Sequence, residues 1–126
     1  MHPEHRTRRH LVKQAERTVL ADLQTPLSIA KLCRTLGVND RYLRRAYQMV
    51  HGIPPHQYLR MLKLSRARQA LMSARSQSVT VTKIATRLGF RELGRFSVEY
   101  KKMFEESPSA TLRQALRKHE RKRSAH

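Results

Sequence analysis

Cysteine occurs once in the 126-residue chain, at Cys33, which excludes an internal disulfide framework and fits a reducing compartment. Acidic residues are scarce: 9 Asp+Glu stand against 27 Lys+Arg, a formal charge of +18 and a pI of about 11.5. So lopsided a balance points to a polyanionic partner, and nucleic acid comes first. An anionic membrane surface would match the charge alone, but no apolar run approaches the roughly 20 residues needed to span a bilayer. The opening stretch, MHPEHRTRRH, lacks the apolar segment of a secretory signal. Glycine is rare (4 residues) and no segment alternates strongly between apolar and polar, so the expected fold is all-α. Carboxylate pairs, a phosphate-binding glycine loop, a Ser/His/Asp set and zinc-ligand spacing are missing. No enzyme activity, cofactor or metal is therefore expected. The hydrophobic fraction, 39%, still allows a core in one domain or two very small ones.

What is present is organised around Ser28–Val50, SIAKLCRTLGVNDRYLRRAYQMV. Ser28 is a good N-cap, and Ile29, Leu32, Cys33 and Leu36 then fall on one helical face. Gly37 stops that helix, since a left-handed C′ position costs a residue without Cβ little. Asn39 caps a second helix, whose apolar positions are Leu43, Ala46, Tyr47 and Val50. Its outward stripe is Arg41, Arg44, Arg45 and Gln48, at the same spacing. Three arginines and a glutamine opposite a core stripe suit a helix lying in a DNA major groove. The pattern is a helix-turn-helix.

The rest of the chain supports this unit. Leu11, Val12, Ala15, Val19, Leu20 and Leu23 form a packing stripe between Thr7 and about Asp22, with Arg8, Arg9, Lys13 and Arg17 on other faces. His2, His5 and His10 read as part of a frayed leader rather than a metal site, for want of a fourth ligand nearby. After a turn at His51–Pro55, a helix is expected to about Ala74, with Tyr58, Leu59, Leu62, Ala67, Ala70 and Leu71 inward. Arg60, Lys63, Arg66 and Arg68 make it basic, and His51 and His56 read as surface histidines. At about 1.5 Å per residue, some twenty residues of helix span roughly 30 Å, close to the roughly 34 Å of one DNA turn.

At Thr80 the pattern begins again. TVTKIATRLG, residues 80–89, aligns with SIAKLCRTLG, residues 28–37. After one inserted residue, Phe96, Tyr100, Pro108 and Leu112 match Leu43, Tyr47, Pro55 and Leu59. Two copies of one unit are stronger evidence than either alone.

The pieces LGVNDRYLRRAYQ, HGIPPHQYLR, ATRLGFRELGRFSVEYKKMF and SPSATLR resemble the AraC/XylS family of bacterial transcriptional regulators, from about Leu11 to Arg113. The resemblance implies seven helices in two homeodomain-like helix-turn-helix subdomains joined by a long linker helix. On this chain that gives a leader over 1–10, a first subdomain over 11–54 and a linker helix over 55–75. A second subdomain over 76–116 and a basic tail over 117–126 complete it. It further implies a sequence-specific regulator of double-stranded DNA, an activator that works with RNA polymerase. The protein would act in the cytoplasm on the nucleoid, without membrane contact, and bind as a monomer. Expected base-reading residues are Asn39, Arg41, Arg44, Arg45, Gln48, Arg91 and Arg95. Expected phosphate contacts are Ser28, Arg60, Thr80, Arg87, Ser97, Lys101 and Lys102.

Three departures from the family pattern stand out. Glu105 replaces a glycine after the second reading helix, so a differently built turn is expected there. Pro54 replaces a capping serine or threonine before Pro55. Gly94, Ser97, Val98 and Lys101 stand where the first unit has Arg41, Arg44, Arg45 and Gln48.

Blander readings cover several other features. Cys33, on an apolar face, reads as a packing thiol rather than a redox switch or alkyl acceptor. Phe96, Tyr100 and Phe104 read as core rather than a base-stacking platform. Arg113–Arg123 reads as a short helix fraying into a solvated tail, with a phosphate-touching arm as the alternative. A non-specific nucleic-acid-binding or nucleoid-associated basic protein would explain the charge, but not an arginine stripe set opposite a core stripe.

Overall fold

Every helix-forming segment read from the sequence is helical in the computed structural model, which describes residues 7–125. Seven helices follow one another: α1 (Arg8–Ala21), α2 (Ile29–Leu36), α3 (Asp40–His51), α4 (Pro55–Met72), α5 (Val81–Arg87), α6 (Leu93–Phe104) and α7 (Pro108–Ser124). The described residues include no strand. Two compact units divide the chain within α4, between Leu62 and Lys63.

Unit 1 is built on local stop and start signals that the sequence carries. Thr7 Oγ1 accepts from His10 N at 3.0 Å and Ser28 Oγ from Lys31 N at 3.2 Å. Asn39 Oδ1 accepts from Tyr42 N at 2.8 Å, opening α3. Gly37 (φ 70°) and Gly52 (φ 73°) close α2 and α3 in the left-handed region. The faces so defined meet in one core: Leu11, Val12, Ala15 and Val19 of α1, Leu32 and Cys33 of α2, Leu43, Ala46 and Tyr47 of α3, and Leu59 of α4. Full burial of a leucine such as Leu11 or Leu43 contributes about 1.5–3 kcal/mol. Burial also lifts the Cys33 thiol above its usual range, with the Asp40 carboxylate adding to the shift, as suits a packing thiol.

Unit 2 repeats the plan with different chemistry. Thr80 Oγ1 accepts from Lys83 N at 3.1 Å, and Ser107 Oγ from Ala110 N at 3.1 Å. Its rings run in series: Phe90 to Phe96 at 4.8 Å, Phe96 to Tyr100 at 5.8 Å, Tyr100 to Phe104 at 4.7 Å. The repeat explains one substitution between the units. In unit 1, Tyr47 packs its ring against Tyr58 of α4 at 5.8 Å. At the matching positions of unit 2, the Tyr100 hydroxyl donates to Thr111 Oγ1 at 2.8 Å, and Thr111 donates in turn to Glu106. The early part of α4 thus serves unit 1 as α7 serves unit 2.

Several sequence expectations need correction. Helix α1 starts at Arg8, so positions 8–10 belong to it rather than to a leader; His2 and His5 lie outside the described residues. Helix α4 closes at Met72, short of Ala74. Helix α7 runs on through the tail segment to Ser124. Lys63 is not part of a solvated basic face. It is 2% exposed, and its ammonium donates to the carbonyl of Leu88 at 3.1 Å, where the C-terminal end of α5 favours a cation. His51 is half-buried, stacked on Tyr58 at 3.9 Å with Nε2 3.6 Å from Glu16 Oε1.

The turn at Glu105 is not differently built. Glu105 takes the left-handed conformation (φ 63°) that glycine holds elsewhere, and its N–H donates to Lys101 O at 2.8 Å. Its side chain is exposed, so the conformation is imposed by the chain on either side. Left-handed backbone costs a residue with Cβ about 1–2 kcal/mol. Part of that is offset by the lower entropy of glutamate in the unfolded chain. Glu105→Gly is therefore expected to stabilise the protein by roughly 0.5–1 kcal/mol. Urea unfolding checks this, and a lower midpoint for the variant would refute it.

Candidate nucleic-acid interface

Helix α3 presents the arginine stripe because its opposite side is committed to the core. Leu43, Ala46 and Tyr47 are fully buried, which turns Arg41, Arg44, Arg45 and Gln48 to solvent. The Asn39 side chain is itself used by the cap, so the orientation of the first turn is fixed by the residue expected to read beside it. Arg44 is not idle: its Nε lies 2.9 Å from Asp40 Oδ2, one turn back. No ion pair among the described residues holds Arg41 or Arg45. Arg41 and Arg45 are thus the two arginines of the stripe whose guanidinium groups are exposed without such a carboxylate. Met49, 65% exposed and one turn beyond Arg45, extends the same surface with an apolar end. The sequence reading missed it, although the i+4 spacing from Arg45 was available as a signal.

In unit 2 the corresponding helix is set differently. The inserted residue lengthens the turn, so Gly89 (φ 81°), Phe90, Arg91 and Glu92 precede α6. Phe90 is buried and anchors this turn, while Glu92 makes no side-chain cap bond. Arg91 and Arg95 are exposed, and Arg95 Nε lies 3.9 Å from Glu99 Oε2. A Cβ built at Gly94 would meet nothing within 4 Å, so this position faces open space. Ser97 is half-buried, Val98 is 67% exposed, and Lys101 and Lys102 are exposed. The surface of α6 is thus small, partly apolar and flanked by cations. It lacks a row of long hydrogen-bonding side chains.

The expected phosphate ligands divide in the same way. Ser28 and Thr80 are exposed at helix N-termini, where main-chain N–H groups suit an anion, though each hydroxyl already caps its helix. Arg87 is exposed in the last turn of α5. Arg60 is half-buried. Within unit 2, Arg68 is withdrawn from any such role: its guanidinium lies 4.8 Å over the Phe104 ring and 3.8 Å from Glu106. No helix among the described residues is long and apolar enough to cross a membrane.

Comparison with known proteins agrees with this arrangement. A family model described as a helix-turn-helix domain matches residues 32–114. The probable thc operon regulatory protein of Rhodococcus erythropolis is 39% identical over 103 residues, 82% of this chain and 31% of that protein. The XylDLEGF operon transcriptional activator of Pseudomonas putida is 33% identical over 93 residues, 74% of this chain and 29% of that protein. The chain therefore spans about a third of the length of these curated relatives. A solved structure, a probable AraC family transcriptional regulator from Rhodopseudomonas palustris CGA009, is similar at a TM-score of 0.73 and 33% identity. It matches over 84% of this chain and 97% of its own. With paired helix-turn-helix units and a family match over most of its length, the chain belongs to the AraC/XylS family, whose AraC-type DNA-binding domain it carries.

Proposed function

We propose that the protein is a sequence-specific transcriptional regulator, an activator, that engages double-stranded DNA through α3 and α6 without catalysing a reaction. The observation that carries this is α3: a helix capped at both ends, with a buried stripe facing an exposed Arg41, Arg45 and Gln48. Base reading falls chiefly to Arg41, Arg44, Arg45 and Gln48, helped by Asn39; Arg91, in the turn before α6, and Arg95, in its first turn, mainly hold the backbone, with guanine reading as their competing role. Arg44 exchanges Asp40 for a base edge. Ser28, Arg60, Thr80, Arg87, Ser97, Lys101 and Lys102 serve the phosphates. The names of the relatives concern operon regulation and activation, which favours RNA polymerase as partner and the cytoplasmic nucleoid as place of action.

One chain already holds two reading units, so binding needs no second copy. Selection of bound duplexes from random DNA is expected to return an asymmetric site of roughly 20 base pairs, with two segments about one turn apart. Sedimentation of the complex is expected to give one protein per site. A palindrome occupied only by a dimer would refute the monomer reading. Equal affinity for selected duplex, random duplex and RNA would favour a non-specific nucleic-acid binder.

A further inference from the structure

Helix α7 outlasts the fold it belongs to. Its buried residues are Pro108, Thr111 and Ala115, and Leu112, Leu116 and His119 are half-buried. Beyond His119 every described residue of the helix is exposed, yet the helix continues to Ser124, past the residues that the family model matches. From Arg117 onward the helix carries Arg117, Lys118, Arg121, Lys122 and Arg123, all exposed, against a single acid, Glu120. Cations near a helix C-terminus are favoured by its dipole. Like charges at i,i+4, as in Arg117/Arg121 and Lys118/Lys122, oppose it. With no apolar face there to pack, the composition suits an anionic partner.

We infer that the C-terminal part of α7 is an additional contact for the phosphate backbone of the duplex, outside the base pairs covered by α3 and α6. The inference rests on the DNA-binding reading above, because the duplex is then already held close by the two helix-turn-helix units. Spacing is compatible: four helical residues rise about 6 Å, and successive phosphates of one strand lie a similar distance apart once the winding of the strand is added to its roughly 3.4 Å axial rise. So Arg117 with Arg121, and Lys118 with Lys122, can each serve two neighbouring phosphates. A lipid surface is a poorer partner, since this segment has no apolar side to lay into a bilayer.

The experiment compares the selected site in two duplexes, one trimmed to the site and one extended by about 10 base pairs at each end. Anisotropy titrations of the full chain run between about 50 and 200 mM salt. The wild-type chain is expected to bind the extended duplex about tenfold more tightly, with a salt slope steeper by about 2–3. The variant R117Q/K118Q/R121Q/K122Q keeps helix-forming side chains and is expected to lose that preference while binding the trimmed duplex as before. Glu120→Lys is expected to enlarge it. Equal binding of both duplexes by the wild-type chain overturns the inference, as does equal loss on both by the quadruple variant. Capture on anionic vesicles that depends on the same four cations, without any flank effect, also overturns it. Failure to prefer the trimmed site over a scrambled one brings down the DNA-reading proposal itself, and this inference with it.

Discussion

Raising salt from about 50 to 200 mM is expected to weaken binding to the cognate duplex by about 10³–10⁵, with log K linear in log salt. The magnitude follows from an estimated 6–10 neutralised phosphates at about 0.9 of a counterion each. That number is well below the 27 Lys+Arg of the chain, and the structure shows why. Lys63 is buried against Leu88, and Arg68 is held by Phe104 and Glu106. Arg44 and Arg95 each face a carboxylate on their own helix. Exposed cations remain on several elements: Arg8, Arg9, Lys13 and Arg17 on α1, Arg87 on α5, Lys101 and Lys102 on α6. Random duplex is expected to show a similar slope at lower affinity, because this component carries no sequence information. Filter binding or anisotropy over the same range measures both. A near-flat dependence would mean that the excess charge does not meet the backbone.

What the sequence disclosed follows from how local each signal is. Ser28, Asn39 and, as the repeat of Ser28, Thr80 act within three residues of themselves, and each caps its helix; Thr7 and Ser107 do the same without having been read as caps. The core stripe of α3 was equally legible, since helical spacing alone decides that Leu43, Ala46 and Tyr47 share a face. The features that escaped depend on partners distant in sequence. Lys63 looks like any surface lysine until Leu88, twenty-five positions on, brings a carbonyl to it. His51 is covered because Glu16 and Tyr58 arrive from two other helices. Glu105 is a different case. The signal there was glycine, and its absence argued for another turn; the flanking helices α6 and α7 hold the left-handed turn without it. Met49 escaped because an apolar residue outside the core stripe reads as background, although its exposure beside Gln48 puts it on the candidate interface.

The two reading helices are expected to contribute unequally. Arg45→Ala should cost roughly 1–3 kcal/mol on the cognate site and much less on random DNA. Arg45 is exposed on α3, carries no ion pair among the described residues, and can bond guanine O6 and N7 together. Gln48, three residues on along the same face, can do likewise at adenine N6 and N7. On α6 the matching positions offer less. Gly94 has no side chain, Val98 can touch only a thymine methyl, and Ser97 is half-buried. Arg95 leans toward Glu99, so a base contact would first have to draw it off that carboxylate. Arg95→Ala should therefore weaken cognate and random duplex to a similar degree, the behaviour of a backbone contact. The open space over Gly94 supplies the competing outcome: it lets a duplex approach α6 closely enough for Arg91 and Arg95 to reach guanines. Binding-site selection with each variant separates the two. If the motif is sharp beneath α6 and blurred beneath α3, and Arg95→Ala rather than Arg45→Ala relaxes it, discrimination lies with the second unit.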